Sequence, residues 1–71
     1  MAEGRHGRRL NKFEAEYIAE IEKGLKERTD LDDRERHMLE MEVVHIRDGT
    51  ITLSAPYTLE DRLTTLRNHY P

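Results

Sequence analysis

The sequence contains no cysteine and no tryptophan, and only four of its 71 residues are aromatic. Without cysteine, a disulfide framework, a thiolate nucleophile and the cysteine-based zinc sites are excluded. A cysteine-free chain suits a reducing compartment, so we expect a cytoplasmic protein. A domain of this size buries only about 60% of the surface that its unfolded chain exposes. A partner chain is therefore the expected source of additional stability.

Long apolar runs are also missing. No segment approaches the roughly 20 apolar residues of a membrane-spanning helix, and residues 1–12 lack the apolar core of a signal peptide. We therefore expect no membrane partner. Charged residues make up 38% of the chain and its mean hydropathy is −0.93. The apolar residues nevertheless recur at regular spacing, which indicates a folded chain rather than a disordered one.

Charge is distributed unevenly along the chain. The net charge is +3 over residues 1–12, −6 over residues 13–42 and zero over the remainder. Two glycines and few apolar side chains near the start predict a flexible basic arm over residues 1–9. The rest, residues 10–71, is predicted to form one small domain.

Two helices are predicted in the first half of this domain. Apolar residues at steps of three and four predict the first over residues 10–28, with Asn11 as a possible N-cap. The stripe consists of Leu10, Phe13, Tyr17, Ile18, Ile21 and Leu25. Asp30 as an N-cap, followed by Asp33, predicts a second helix over residues 31–42. The short connection between them favours an antiparallel helical hairpin.

Residues 43–54 predict a β-hairpin. Asp48-Gly49 is a preferred pair for a two-residue type I′ turn, and the register around it sorts the flanking residues by polarity. One face then carries Val44, Ile46, Ile51 and Leu53, and the other carries His45, Arg47, Thr50 and Thr52. The competing interpretation extends the second helix through this region and ends it at Gly49.

A last helix is predicted to begin after Thr58, which can cap it. Its apolar residues form a narrow stripe at 4-3-4 spacing, typical of a helix–helix contact. They are Leu59, Leu63, Leu66 and Tyr70. The predicted fold is therefore α+β in the order α-α-β-β-α: a helical hairpin, a β-hairpin and a C-terminal helix. The alternative is an all-α three-helix domain.

Catalytic and metal-binding patterns are weak. Ser54 is the only serine and no nucleophile motif surrounds it. His37 and Glu40 lie three residues apart, but one histidine and one carboxylate do not make a metal site. We therefore expect no catalytic residue, no metal and no cofactor. An accessory subunit of an enzyme is the alternative to a protein with no enzymatic role.

The basic arm has nucleic-acid character. Four side chains could neutralise phosphates: Arg5, Arg8, Arg9 and Lys12. Against this, the two helices that follow are rich in acids and no basic recognition helix is present. A small DNA- or RNA-binding regulator that uses the arm is thus the second hypothesis for function.

The leading hypothesis is a small non-catalytic regulatory or adaptor protein that forms oligomers and acts by protein–protein interaction, with a protein partner or a second copy. The predicted contact residues lie on two helices. They are Leu63, Leu66 and Tyr70 on the last helix, or Tyr17 and Ile18 on the first. The alternative for all five residues is a position in the core.

Overall fold

The computed structural model of the chain describes residues 9–69, with side chains described for residues 9–68. This part forms three helices, α1 (Lys12–Glu27), α2 (Asp33–Asp48) and α3 (Leu59–His69), and it contains no β-strand. The predicted α+β fold is therefore wrong, and the all-α three-helix alternative fits. No helix in the described part is long and apolar enough to cross a membrane. The flexible arm predicted over residues 1–9 lies outside the described residues, apart from Arg9.

Capping boxes begin the first two helices. The Asn11 side chain accepts from the backbone N–H of Glu14 at 2.8 Å, and the Glu14 carboxylate accepts from that of Asn11 at 3.1 Å. The same exchange joins Asp32 and Glu35, at 2.8 and 3.2 Å. Each box satisfies two N–H groups that a helix start leaves without intrahelical partners. The second cap therefore lies two residues beyond the predicted Asp30.

The β-hairpin predicted over residues 43–54 is wrong, because α2 continues to Asp48. A type I′ turn requires positive φ at both Asp48 and Gly49, but among the described residues Gly49 alone has it, with φ 91°. Gly49 is instead the left-handed C-cap of α2, and its N–H donates to Ile46. An Asp-Gly pair fits both structures. The helix prevails here because it keeps the apolar stripe continuous into the core.

The connection between α2 and α3 folds back across α1. The backbone N–H of Ile51 donates to the carbonyl of His45 at 3.1 Å. Leu53 is held at both backbone groups: its N–H donates to Glu14 Oε2 at 2.9 Å, and its carbonyl accepts from Asn11 Nδ2 at 2.7 Å. The N-cap and the first turn of α1 thus supply the partners that a neighbouring strand would supply in a sheet.

The core lies between the three helices, with α1 packing against both of the others. Its buried apolar members are Tyr17, Ile18, Ile21, Leu39, Val43, Ile46, Leu59, Leu63 and Leu66. Contacts of Leu25 with Arg36 and of Tyr17 with Glu42 show that α1 and α2 are antiparallel. At Gly24, α1 lies so close to α3 that an added Cβ would come within 2.6 Å of Leu59 Cδ2.

Candidate interaction surface

Three carboxylates are buried in the fold: Glu14, Glu35 and Glu42. Burial of an ionised carboxylate is costly unless hydrogen bonds and a counter-charge compensate. Each of the three accepts hydrogen bonds, and Glu35 and Glu42 also pair with an arginine. Glu14 and Glu35 in addition complete the capping boxes. Glu14 is not part of the apolar stripe of α1, so helical periodicity alone does not predict its burial. Its position three residues after Asn11 is the signal that could have identified its role.

Glu42 joins all three helices. Its Oε1 accepts from the Tyr17 hydroxyl at 2.8 Å and lies 3.1 Å from Arg62 Nε, an ion pair without the alignment of a hydrogen bond. The Tyr17 ring also packs edge-on against Tyr57, with centroids 5.1 Å apart. Burial and the bond to Glu42 raise the pKa of Tyr17 well above its usual range, so its hydroxyl stays a donor. These contacts give the buried Glu42 carboxylate a structural role.

Two arginines, Arg28 and Arg67, join α3 to the α1–α2 turn. Arg67 donates to both oxygens of Glu35, at 2.8 and 3.2 Å, and to the Asp30 carbonyl at 3.1 Å. Arg28 donates to both Asp30 oxygens, each at 2.9 Å, and to Glu60 at 2.6 Å. The Arg67 guanidinium lowers the pKa of Glu35, and Arg28 holds that of Asp30 well below its usual range. These ion pairs join elements that are distant in sequence.

Four of the five residues predicted to contact a partner occupy the interior of the described fold. Tyr17, Ile18, Leu63 and Leu66 are all buried, and each belongs to the core. Tyr70 lies outside the described residues. In this conformation the four buried side chains hold the helices together, so a contact surface has to be sought among other residues.

Of the four residues predicted to contact nucleic acid, the structure describes two. Arg9 and Lys12 are exposed near the start of α1, and Lys12 Nζ lies 5.5 Å from the centroid of the Phe13 ring. Arg5 and Arg8 lie outside the described residues. The two described cations therefore lie at one end of the molecule, beside a helix whose exposed side carries several glutamates.

Two large apolar side chains are exposed among those that the structure describes. They are Met41, 38% exposed, and Val44, 50% exposed, and both lie on α2. At 100° per residue, Met41 projects from the side of the helix opposite Leu39 and Ile46. Val44 lies next to it, one turn further along. The sequence prediction missed this pair because it assigned Val44 to a strand.

Polar residues surround the pair at helical spacing. His37 precedes Met41 by four positions and Asp48 follows Val44 by four, which gives a 4-3-4 seam along α2. Glu40 and Arg47 flank the seam on the side toward α1, where Arg47 lies 3.1 Å from Glu22. We call the six residues of this surface the α2 outer face: His37, Glu40, Met41, Val44, Arg47 and Asp48.

A shallow groove of about 250 Å³ lies between α1 and the start of α3. The groove is lined by Glu20, Lys23, Gly24, Glu27, Arg28 and Leu59. The mixed charges and small volume give it no evident ligand. Within residues 9–68, no group of three or more histidines and carboxylates is placed to hold a metal ion.

Comparisons with known proteins give no relative: no family model, no curated protein and no solved structure matches this chain significantly.

Proposed function

We propose that this protein is a small non-catalytic adaptor or regulator that binds another protein through the α2 outer face. One observation carries the proposal: the exposed large apolar side chains of the described part lie next to each other, on one helix, on the side away from the core. Exposed apolar residues within a row of 4-3-4 spacing are typical of a helix that packs against another helix. The flanking charges would form a polar rim around it.

The rest of the fold supports this choice of surface. The large apolar residues of α1 and α3 that were expected to make contacts are used in the core. The exposed positions of α3 are polar, and those of α1 are mainly glutamates, lysines and alanines. We place the protein in the cytoplasm, because a cysteine-free chain suits a reducing compartment.

Site-specific photo-crosslinking tests the proposal. A photoreactive amino acid is placed at Val44 or, as the control, at Thr64, an exposed helical position on α3 with a side chain of the same shape. Both proteins are produced in their native cells and irradiated. We expect a covalent protein adduct from position 44 and none from position 64. Equal adducts from both positions, or none from position 44, would contradict the proposal.

A further inference from the structure

The arrangement of the α2 outer face is self-complementary. The seam residues His37, Met41, Val44 and Asp48 correspond to alternating a and d positions of a heptad. Its two central members are apolar and its two end members are polar. The ends differ in chemistry: a histidine lies toward the start of the helix and a carboxylate toward its end. A surface with these properties matches a copy of itself that runs in the opposite direction.

We infer that a second copy of this chain occupies the α2 outer face, with the two α2 helices antiparallel about a two-fold axis near residues 42 and 43. In this register Met41 of each copy faces Val44 of the other, which gives two apolar layers. His37 of each copy then faces Asp48 of the other. The choice of a second copy as the partner rests on the proposed function, which requires a protein partner. It also rests on the symmetry of a two-fold dimer, in which both copies use the same surface patch and that patch must be complementary to itself.

Charge complementarity favours this orientation. Glu40 and Arg47 flank the seam on the same side, and in the antiparallel register Glu40 of one copy lies beside Arg47 of the other. Because of the two-fold axis, this pair of opposite charges occurs twice in the dimer. A parallel arrangement would instead place Asp48 against Asp48 and Arg34 against Arg34 of the second copy. Like charges in contact oppose association, so the pattern selects the antiparallel pair.

Existing contacts do not remove these charges from the surface. Arg47 pairs with Glu22 across the α1–α2 boundary, yet its side chain remains 51% exposed. Asp48 accepts from the N–H of Thr50 at 2.9 Å, and its other oxygen lies 3.9 Å from His45 Nδ1, yet its side chain remains 44% exposed. Both can therefore share their charge with a second copy.

The contact should be weak, because it uses one face of a 16-residue helix. Stable interfaces bury roughly 800 Å² on each partner, more than such a face provides. The dimer should therefore dissociate on dilution. Sedimentation equilibrium on the full chain, from about 20 μM to about 1 mM, measures this directly. We expect the weight-average mass to rise with concentration toward twice the 8.4 kDa of the chain.

Variants identify the face that is used. Val44→Glu should raise the dissociation constant at least about tenfold, because it places an unpaired charge in both apolar layers. Thr64→Glu, the same substitution at an exposed position of α3, should leave it unchanged. Circular dichroism confirms that each variant is folded. Equal weakening by both variants, or no weakening by Val44→Glu, would overturn the assignment of the face.

A charge swap tests the orientation. Glu40→Arg alone should weaken the dimer, because the new cation faces Arg47 of the second copy. The double variant Glu40→Arg/Arg47→Glu should recover association, because the opposite-charge pair is restored in reverse. A double variant no stronger than the single one would overturn the antiparallel register.

Failure of this inference is distinguishable from failure of the proposed function. A wild-type chain that stays monomeric up to about 1 mM overturns self-association. Independently of the sedimentation result, the mass of the photo-adduct from Val44 identifies what binds the α2 outer face. An adduct of twice the chain mass supports the second copy, whereas an adduct with a different protein overturns it and leaves the proposed function intact. No adduct, together with a monomeric chain, overturns both.

Discussion

The hydroxyl of Tyr17 donates a 2.8 Å hydrogen bond to Oε1 of Glu42, and this bond joins α1 to α2 inside the fold. Because Glu42 is also paired with Arg62 on α3, one buried carboxylate links all three helices. The cluster positions α2 relative to its neighbours and so determines which side of α2 faces outward. The exposed Met41–Val44 pair depends on this arrangement.

Tyr17→Phe removes the hydroxyl and retains the ring. We expect it to lower the free energy of unfolding by about 1–2 kcal/mol, because a buried carboxylate loses its neutral donor. Tyr57→Phe is the control, since it retains the edge-on packing of the two rings. Urea denaturation followed by circular dichroism measures both. Similar losses in the two variants would contradict the assigned role of the Tyr17 hydroxyl.

Stability should fall in acid because of Glu35 and Asp30. Arginines lower the pKa of both carboxyls in the folded state, so the unfolded chain takes up these protons first. Their contribution is fully present above the ordinary values of 4.5 and 3.8 and is lost as the pH falls below them. Arg67→Met should flatten the decline. Denaturation between about pH 2 and 7 tests this, and identical slopes for the variant and the wild type would refute it.

Gly49 ends α2 in the left-handed conformation, with φ 91° and ψ 0°. Gly49→Ala should cost about 1–2 kcal/mol, because a Cβ is unfavourable in this region. Gly49→Asn should cost less, since asparagine tolerates it better. Thermal unfolding of the two variants gives the comparison. An alanine variant as stable as the wild type would show that α2 does not end at this cap.

Nucleic-acid binding through residues 1–9 remains the alternative function. If the α2 outer face is the binding surface, labelled duplex DNA and single-stranded RNA should show no change in fluorescence anisotropy with the protein at about 50 mM salt. A chain without residues 1–9 is the control. Binding that weakens at about 200 mM salt and disappears without these residues would favour the alternative.

Local signals in the sequence predicted much of α1 and the start of α3. Asn11, a possible cap in the sequence, does cap α1, and Thr58 accepts from the N–H of Asp61 at 3.1 Å as expected. These helix caps can be predicted from sequence because each depends only on residues within one helical turn of each other. The antiparallel arrangement of the first two helices was also predicted, from the short connection between them.

The hairpin prediction failed because its local evidence was ambiguous. β-Branched residues before an Asp-Gly pair fit a strand and a turn, but Val43 and Ile46 also continue the helical stripe from Leu39. Burial of that stripe against α1 decides the outcome, and this is a tertiary effect. The same error concealed the α2 outer face, because Val44 is adjacent to Met41 only when both are helical. The burial of Glu35 likewise depends on a tertiary contact, with Arg67, 32 residues away.

Nitrogen-15 chemical shifts of the full chain, recorded from about 1 mM down to about 20 μM, show which residues make the contact between two copies. We expect concentration-dependent shifts that cluster on the exposed positions of α2 from His37 to Asp48 and that are lost in Val44→Glu. Shifts that cluster on α1 or α3, or spectra that do not change with dilution while Val44 forms no adduct in cells, would contradict this expectation.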